Sequence, residues 1–300
     1  MSEPRRVYGG QAVIEGVMMR GPSAVAVAVR RPDGEIVSYA ERLSGLFTTR
    51  LRNVPLLRGV AVLAESLILG ARALGWASDV ASEESDGREP PEPLGLSGWL
   101  GLFLTMGIAS AVFFLGPVLA TFWLDGPLGS PWWSLLIESA LRLVVLIGYV
   151  WLIGQSEEIQ RVFQYHAAEH QTIHAHEHGP ELSVPAVRRY PPEHPRCGTS
   201  FLLTVAVVSA VIFVFTGADP LWWRFASRLL LIPLVAGLSY EAIRFGGLHD
   251  GWPLVRSLFT ANLMLQRLTT RTPDDEQIQV ALEAFRQVRR LEGDDEQAAS

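Results

Sequence analysis

His166, His170, His174, His176 and His178 are five of the seven histidines in the 300-residue chain, and they fall within thirteen residues. The run His166-Ala167-Ala168-Glu169-His170 reads H-x-x-E-H. On a helix, residues four apart share a face, so His166 and His170 can reach one ion, with Glu169 projecting from the same turn. This is the inverted zinc-hydrolase pattern, in which the glutamate takes a proton from water activated by the ion. His174 continues the spacing. His194 and the single cysteine, Cys197, follow in His194-Pro195-Arg196-Cys197.

A catalytic zinc site uses three protein ligands and keeps one position open. His166 and His170 supply two, and the pattern expects a downstream glutamate on another helix as the third. Glu241, 71 residues after His170, is the favoured choice, with His174 second. Around Zn2+ or another divalent transition metal, these ligands and Glu169 as proton acceptor would perform hydrolysis, with Arg20 or Arg196 near a developing oxyanion. A different grouping stays open. His170, His174, His194 and Cys197 could close around a structural ion that catalyses nothing. A third reading is a polar helix rich in histidine that binds no metal, with Glu241 paired to Arg244. His176 and His178 point off the main face and are expected to be solvated, and His249 falls in a loop.

The elements that must position these residues read as membrane helices. The chain carries a net charge of −6 and a mean hydropathy of +0.22. Residues 93–124 and 197–218 contain no charge, and each exceeds the roughly 20 residues a spanning helix needs. Four spans are expected, at about 97–123, 132–155, 200–217 and 221–245. Glu138 and Arg142 interrupt the second, and Arg224 and Arg228 the fourth. Such charges are costly in lipid unless they face the bundle interior, and Glu138, Arg142 and Arg228 are expected to form one internal network.

All 25 basic residues are arginine. Eleven precede the first span, four lie in 156–199 and seven follow from Arg244, while the short connections 124–131 and 218–220 hold none. Positive-inside counting puts both termini and the histidine segment in the cytoplasm. In 54–78, Arg58, Glu65 and Arg72 form one stripe opposite an apolar face, the pattern of a helix lying in the interface or packed on the bundle.

The fold class expected is therefore a mainly α polytopic membrane protein. It has about four transmembrane helices, an interfacial helix, a small N-terminal β unit and a C-terminal amphipathic helix. The divisions are 1–53 for the β unit, 54–81 for the interfacial helix and 82–96 for an acidic, proline-rich linker. The first hairpin takes 97–155, the histidine segment 156–199, the second hairpin 200–245 and the C-terminal segment 246–300. Within the β unit, Ala24–Arg31 and Glu35–Tyr39 flank a Pro32-Asp33-Gly34 turn, and Gly9–Gly21 reads as a strand bounded by turns. Thr272 is the expected cap of the last helix, whose apolar face is Ile278, Leu282, Phe285 and Val288. One cysteine excludes an intramolecular disulfide, and nothing points to a nucleic-acid partner. The partners expected are the bilayer, a peptide or lipid-linked substrate if the protein is an enzyme, or another membrane complex if it is a non-enzymatic factor.

Four blocks together resemble the YqhQ-like family of bacterial membrane proteins of unknown function, described as metal-dependent enzymes. They are Gly9–Gly21, Tyr165–His170, His194–Ser200 and Gln266–Arg271. The resemblance covers roughly residues 8–288. The family commonly has glycine and lysine where this chain has Ala167 and Gln171. The resemblance implies that Gly10, Gln11, Glu15 and Arg20 belong to the site, with Glu15 a further ligand candidate.

Overall fold

The structure is a computed structural model that describes residues 8–43, 54–87, 89–128, 131–179, 181–194, 197–217, 219–249 and 252–293. Four strands come first: β1 (Gly9–Val13), β2 (Gly16–Arg20), β3 (Ala24–Arg30) and β4 (Ile36–Arg42). They form an antiparallel meander in the order β1-β2-β3-β4. The Gly9–Gly21 run is thus a hairpin rather than one strand. Val13 pairs with Gly16, and Glu15 adopts a left-handed φ of 49° in the turn.

The helices are α1 (Leu57–Ala81), α2 (Leu96–Ser110), α3 (Gly116–Phe122), α4 (Asp125–Leu128), α5 (Pro131–Ile153), α6 (Glu157–His178), α7 (Val184–Val187), α8 (Thr199–Thr216), α9 (Leu221–Leu230), α10 (Ile232–Leu248), α11 (Pro253–Thr269) and α12 (Asp275–Glu292). A π-turn, Ala111–Leu115, joins α2 to α3.

The sheet is buried on both faces, and β3 shows why. Its sequence alternates alanine and valine. Ala24, Ala26 and Ala28 face one core, with Tyr165, Ala168 and Ile173 of α6 and Ile278, Leu282, Phe285 and Val288 of α12. Val25, Val27 and Val29 face the other, with Leu69, Ala73, Trp76 and Val80 of α1. The period of two in a strand sends each residue type to one side. Asp274, not Thr272, caps α12: its side chain accepts from the Gln277 backbone and Gln277 reciprocates. An extended Asp274 two residues nearer the first helical turn completes that box, whereas Thr272 lies outside it.

Among the described residues, four helices are long and apolar enough to cross a membrane: Leu57–Ala81, Leu96–Phe122, Trp132–Ile153 and Thr199–Thr216. This set differs from the sequence reading in one member. The expected fourth span is broken into α9 and α10, bent by 49°, and qualifies only as a pair. Pro233, in the first turn of α10, has no N–H to carry the helix through. α1 qualifies by length and composition, yet its C-terminal half lies on the sheet and its N-terminal half packs on α10. A Cβ on Gly59 would stand 2.7 Å from that of Tyr240. Its charged stripe points into the protein: Arg20 Nη2 donates to Glu65 Oε1 at 2.6 Å, Arg72 Nη1 to Glu41 Oε1 at 2.8 Å, and Arg58 grips Glu241. Leu57, Leu67 and Leu74 are left exposed.

The charges inside the apolar helices converge. Glu138 of α5 accepts from Arg142 Nη2 (3.0 Å), Arg224 Nε (3.2 Å) and Arg228 Nε (3.0 Å). Arg224, not included in the expected network, is therefore part of it. Arg142 Nε also donates to the Phe113 carbonyl at 3.2 Å. Pro117, four residues on, cannot satisfy that carbonyl in the α pattern. Arg142 and Arg228 lie 5.0 and 4.7 Å from the Phe213 ring centre.

Candidate metal centre

α6 is held by one face so that the other can carry chemistry. Tyr165, Ala168, Ile173 and Ala175 are buried in the core under the sheet. Glu157 and Glu158 in the first turn, and His176 and His178 in the last, complement the helix dipole. The opposite face presents His166, His170 and His174 in a row.

Among the described residues, two donor groups form along this row. One ligand atom from each of His166, His170 and Cys197 lies within 4.8 Å of the others. The same holds for His174, Glu177 and His194. The first group is the better prepared. His166 Nδ1 donates to the Thr269 carbonyl at 2.9 Å, and His170 Nδ1 to the Pro192 carbonyl at 2.6 Å. A carbonyl only accepts, so each contact fixes the proton on Nδ1 and leaves the lone pair on Nε2. His166 Nε2 stands 3.1 Å from Cys197 Sγ, and the two imidazole rings are 4.3 Å apart. His170 Nε2 is buried with no hydrogen-bond partner among the described residues. Burial, then the neighbouring His166, holds His170 neutral to well below the usual histidine range. A buried orphan lone pair beside a thiol and a second imidazole suits a borderline-soft cation such as Zn2+.

Cys197 lies in the turn that opens α8. The Thr199 N–H donates to Sγ at 3.3 Å, and the Thr199 hydroxyl lies 3.1 Å away. These contacts favour a thiolate, but burial outweighs them and pushes the thiol up. Without a counter-cation the cysteine stays protonated.

Glu169 is 4% exposed. It turns from the row toward β1, where the Gly10 backbone N–H donates to it. A Cβ on Gly10 would stand 2.9 Å from Glu169 Cγ and Cδ and 2.5 Å from the Met18 carbonyl, so close approach explains that glycine. Burial pushes the Glu169 carboxyl up to about 8, with His166 lowering it and Cys197 raising it. It is therefore mostly protonated at neutral pH.

The remaining expected site residues divide. Glu241 stands in neither donor group. Arg58 Nε donates to it at 2.6 Å and Leu56 N at 3.2 Å, so its carboxylate is used in fixing α1 to α10. Cys197 is the third donor that stands beside His166 and His170, and Arg58, not the expected Arg244, pairs with Glu241. The closed set of His170, His174, His194 and Cys197 is split between the two groups. Of the N-terminal block, Gly10 touches the site. Gln11 points to the other face of β1, against Gly70 of α1, and Arg20 is held by Glu65. Glu15 pairs with Arg161 and accepts from the Tyr165 hydroxyl at 3.2 Å. Arg196 lies outside the described residues. His176 is half-buried rather than fully solvated, and packs edge-on to Tyr8, its ring 5.2 Å away, and 5.0 Å from Phe285. His178 is exposed as expected.

Sequence reasoning missed the groups that hold the donors. Gln266 grips the His194 backbone in both directions, accepting from its N–H and donating to its carbonyl, each at 2.9 Å. Thr269 orients His166. Both belong to Gln266–Arg271, which the resemblance marked and no chemical motif explained. His194 sits deep enough that burial lowers it to about 4.

The family described as "Protein of unknown function (DUF1385)" matches residues 54–291. The "Uncharacterized protein YqhQ" of Bacillus subtilis (strain 168) is 35% identical over 303 aligned residues, covering 97% of this chain and 94% of that one. No solved structure matches.

Proposed function

We propose, for this chain, which belongs to the family of unknown function DUF1385, a membrane-integral metalloprotein of the bacterial inner membrane. Its metal centre faces the cytoplasm and its use is hydrolytic. The arginine distribution supports cytoplasmic termini and a cytoplasmic centre. The apolar, outward-facing surfaces of α2, α5 and α8 support a lipid environment. Zn2+ or another divalent transition metal would be held by His166, His170 and Cys197.

One observation carries the metal assignment. Two imidazoles have Nδ1 tied to backbone carbonyls, His166 Nε2 stands 3.1 Å from the Cys197 thiol, and His170 Nε2, in the same donor group, is a buried orphan among the described residues. Such carbonyl contacts are the usual outer support of metal-ligating histidines. When bound, the ion supplies Lewis acidity and acidifies water. Glu169 is the carboxyl at the group and the residue to hold and return the proton. A peptide or lipid-linked molecule at the membrane surface is the substrate class that this position serves. Nucleic acid is not.

The test is metal analysis of detergent-purified protein. About one tightly held ion per chain is expected, lost in His170→Ala and Cys197→Ala. Glu169→Gln should keep the ion and lose hydrolysis and cellular function. Metal-free protein that folds and supports the cell would end this reading.

A second reading has its own observation. Glu169 and His170 are 4% and 1% exposed, as in a site that excludes substrate. The ion would then clasp α6 to the turn before α8 in a non-enzymatic factor that docks on another membrane complex. Glu169→Gln would leave the cell unaffected while His170→Ala would not.

A further inference from the structure

The second donor group is separate from the first and has its own chemistry. We infer that His174, Glu177 and His194 form a second divalent transition-metal site, half-open to solvent and more weakly binding than the first. This goes beyond the function proposed above and needs no ion in the first group.

His174 and Glu177 are three residues apart on α6, so their side chains are neighbours on one face. His194 approaches from the segment that follows α7. Its Nε2 is 3.4 Å from Glu177 Oε2, and its ring is 4.4 Å from that of His174. One ligand atom from each of the three lies within 4.8 Å of the others. His174 Nε2 donates to the Glu193 carbonyl at 2.9 Å, which fixes the proton there and puts the lone pair on Nδ1. The Gln266 clamp fixes the His194 backbone and so sets where its ring stands beside Glu177 and His174.

Two imidazoles and a carboxylate are a donor set for Zn2+, Co2+ or Ni2+. No thiolate is present, and His174 and Glu177 are half-buried where His170 and Cys197 are buried. Both differences favour weaker, exchangeable binding. The rings of His166, His170, His194 and His174 follow one another at 4.3, 5.8 and 4.4 Å. The less buried group thus leads by adjacent imidazoles to the more buried one.

Co2+ titration of metal-stripped, detergent-purified full-length protein separates the sites, because only the first contains sulfur. Two Co2+ per chain are expected by equilibrium dialysis. The thiolate-to-cobalt charge-transfer band should saturate at the first equivalent. Glu177→Gln and His174→Ala should each remove the second equivalent and leave the band intact. Cys197→Ser should abolish the band and leave an ion that Glu177→Gln then removes. Saturation at one equivalent with a full band would overturn this inference and leave the first centre standing. A second equivalent that survives both Glu177→Gln and His174→Ala would overturn it equally. One bandless equivalent that Glu177→Gln removes would support the second site and defeat the first.

Discussion

The pH dependence of metal affinity follows from the protonation state of the first donor group. His170 is neutral through the physiological range, because burial holds it well below the usual value, so it gives up no proton on binding. Cys197 is protonated, because burial holds its thiol above the usual value, and it must lose that proton. Metal affinity therefore falls as pH falls. Between pH 8.5 and 7.0 the thiol alone costs about 1.5 decades, roughly 30-fold, or about 2 kcal/mol. Glu169 adds to this. Its folded value of about 8 leaves it mostly ionised at pH 8.5 and mostly protonated at pH 7.0. A cation beside it holds it ionised, so a second proton is released in the lower part of the window. That contribution is about eightfold, for a total of roughly 250-fold. Competition with a chromophoric chelator at constant ionic strength measures the slope. Glu169→Gln should reduce the change to about 30-fold, and Cys197→Ala to about eightfold, beside an overall loss of affinity. A wild-type affinity that is flat across this window, or a slope unchanged by Cys197→Ala, would refute the assignment of the thiol as ligand.

Glu138→Gln leaves three buried arginines without their carboxylate and should cost about 3–5 kcal/mol, measured by thermal unfolding in detergent; a loss below about 1 kcal/mol would contradict the network. Gly10→Ala sets a methyl against the Met18 carbonyl and Glu169, and should destabilise by about 1–3 kcal/mol. Its metal content should stay normal, because neither residue is a ligand. Glu169→Gln removes a carboxyl whose folded value lies above its unfolded one, a group that destabilises increasingly as pH rises from the unfolded value of 4.5 to about 8. Metal-free Glu169→Gln should therefore melt higher than metal-free wild type at pH 8 and converge with it near pH 5.

Periodic features were legible in the sequence. The apolar face of α12 is spelled at helical spacing, and all four of its marked residues are buried. The H-x-x-E-H spacing correctly put His166 and His170 together. What depended on tertiary path was not legible. Glu241 had the right chemistry and a plausible separation, but α10 packs on α1, and Arg58 claims the carboxylate. Cys197 was visible only as one member of a closed alternative, although Thr199 two residues later was the signal that its sulfur is solvated by protein. Arg20 and Gln11 read as site components because the block containing them stood out. Strand alternation sends both to the α1 face, away from the histidines. Pro233 marked the break in the expected fourth span, where an apolar run alone suggested continuity.

The glutamate shared by three arginines also bears on the order in which the chain is made. α9 carries Arg224 and Arg228 in ten residues, and an arginine at mid-membrane depth costs on the order of 2.5–3.5 kcal/mol on insertion scales. As an isolated segment α9 is a poor candidate for entering lipid. Glu138 lies 86 residues before Arg224, so synthesis delivers the acceptor first, and in the membrane reading proposed above α5 would already be in the bilayer when α9 emerges. The acid acts as a receptor for a late-arriving helix. On that reading insertion of the second hairpin would be conditional on the first, and a chain lacking Glu138 would expose α9 rather than bury it.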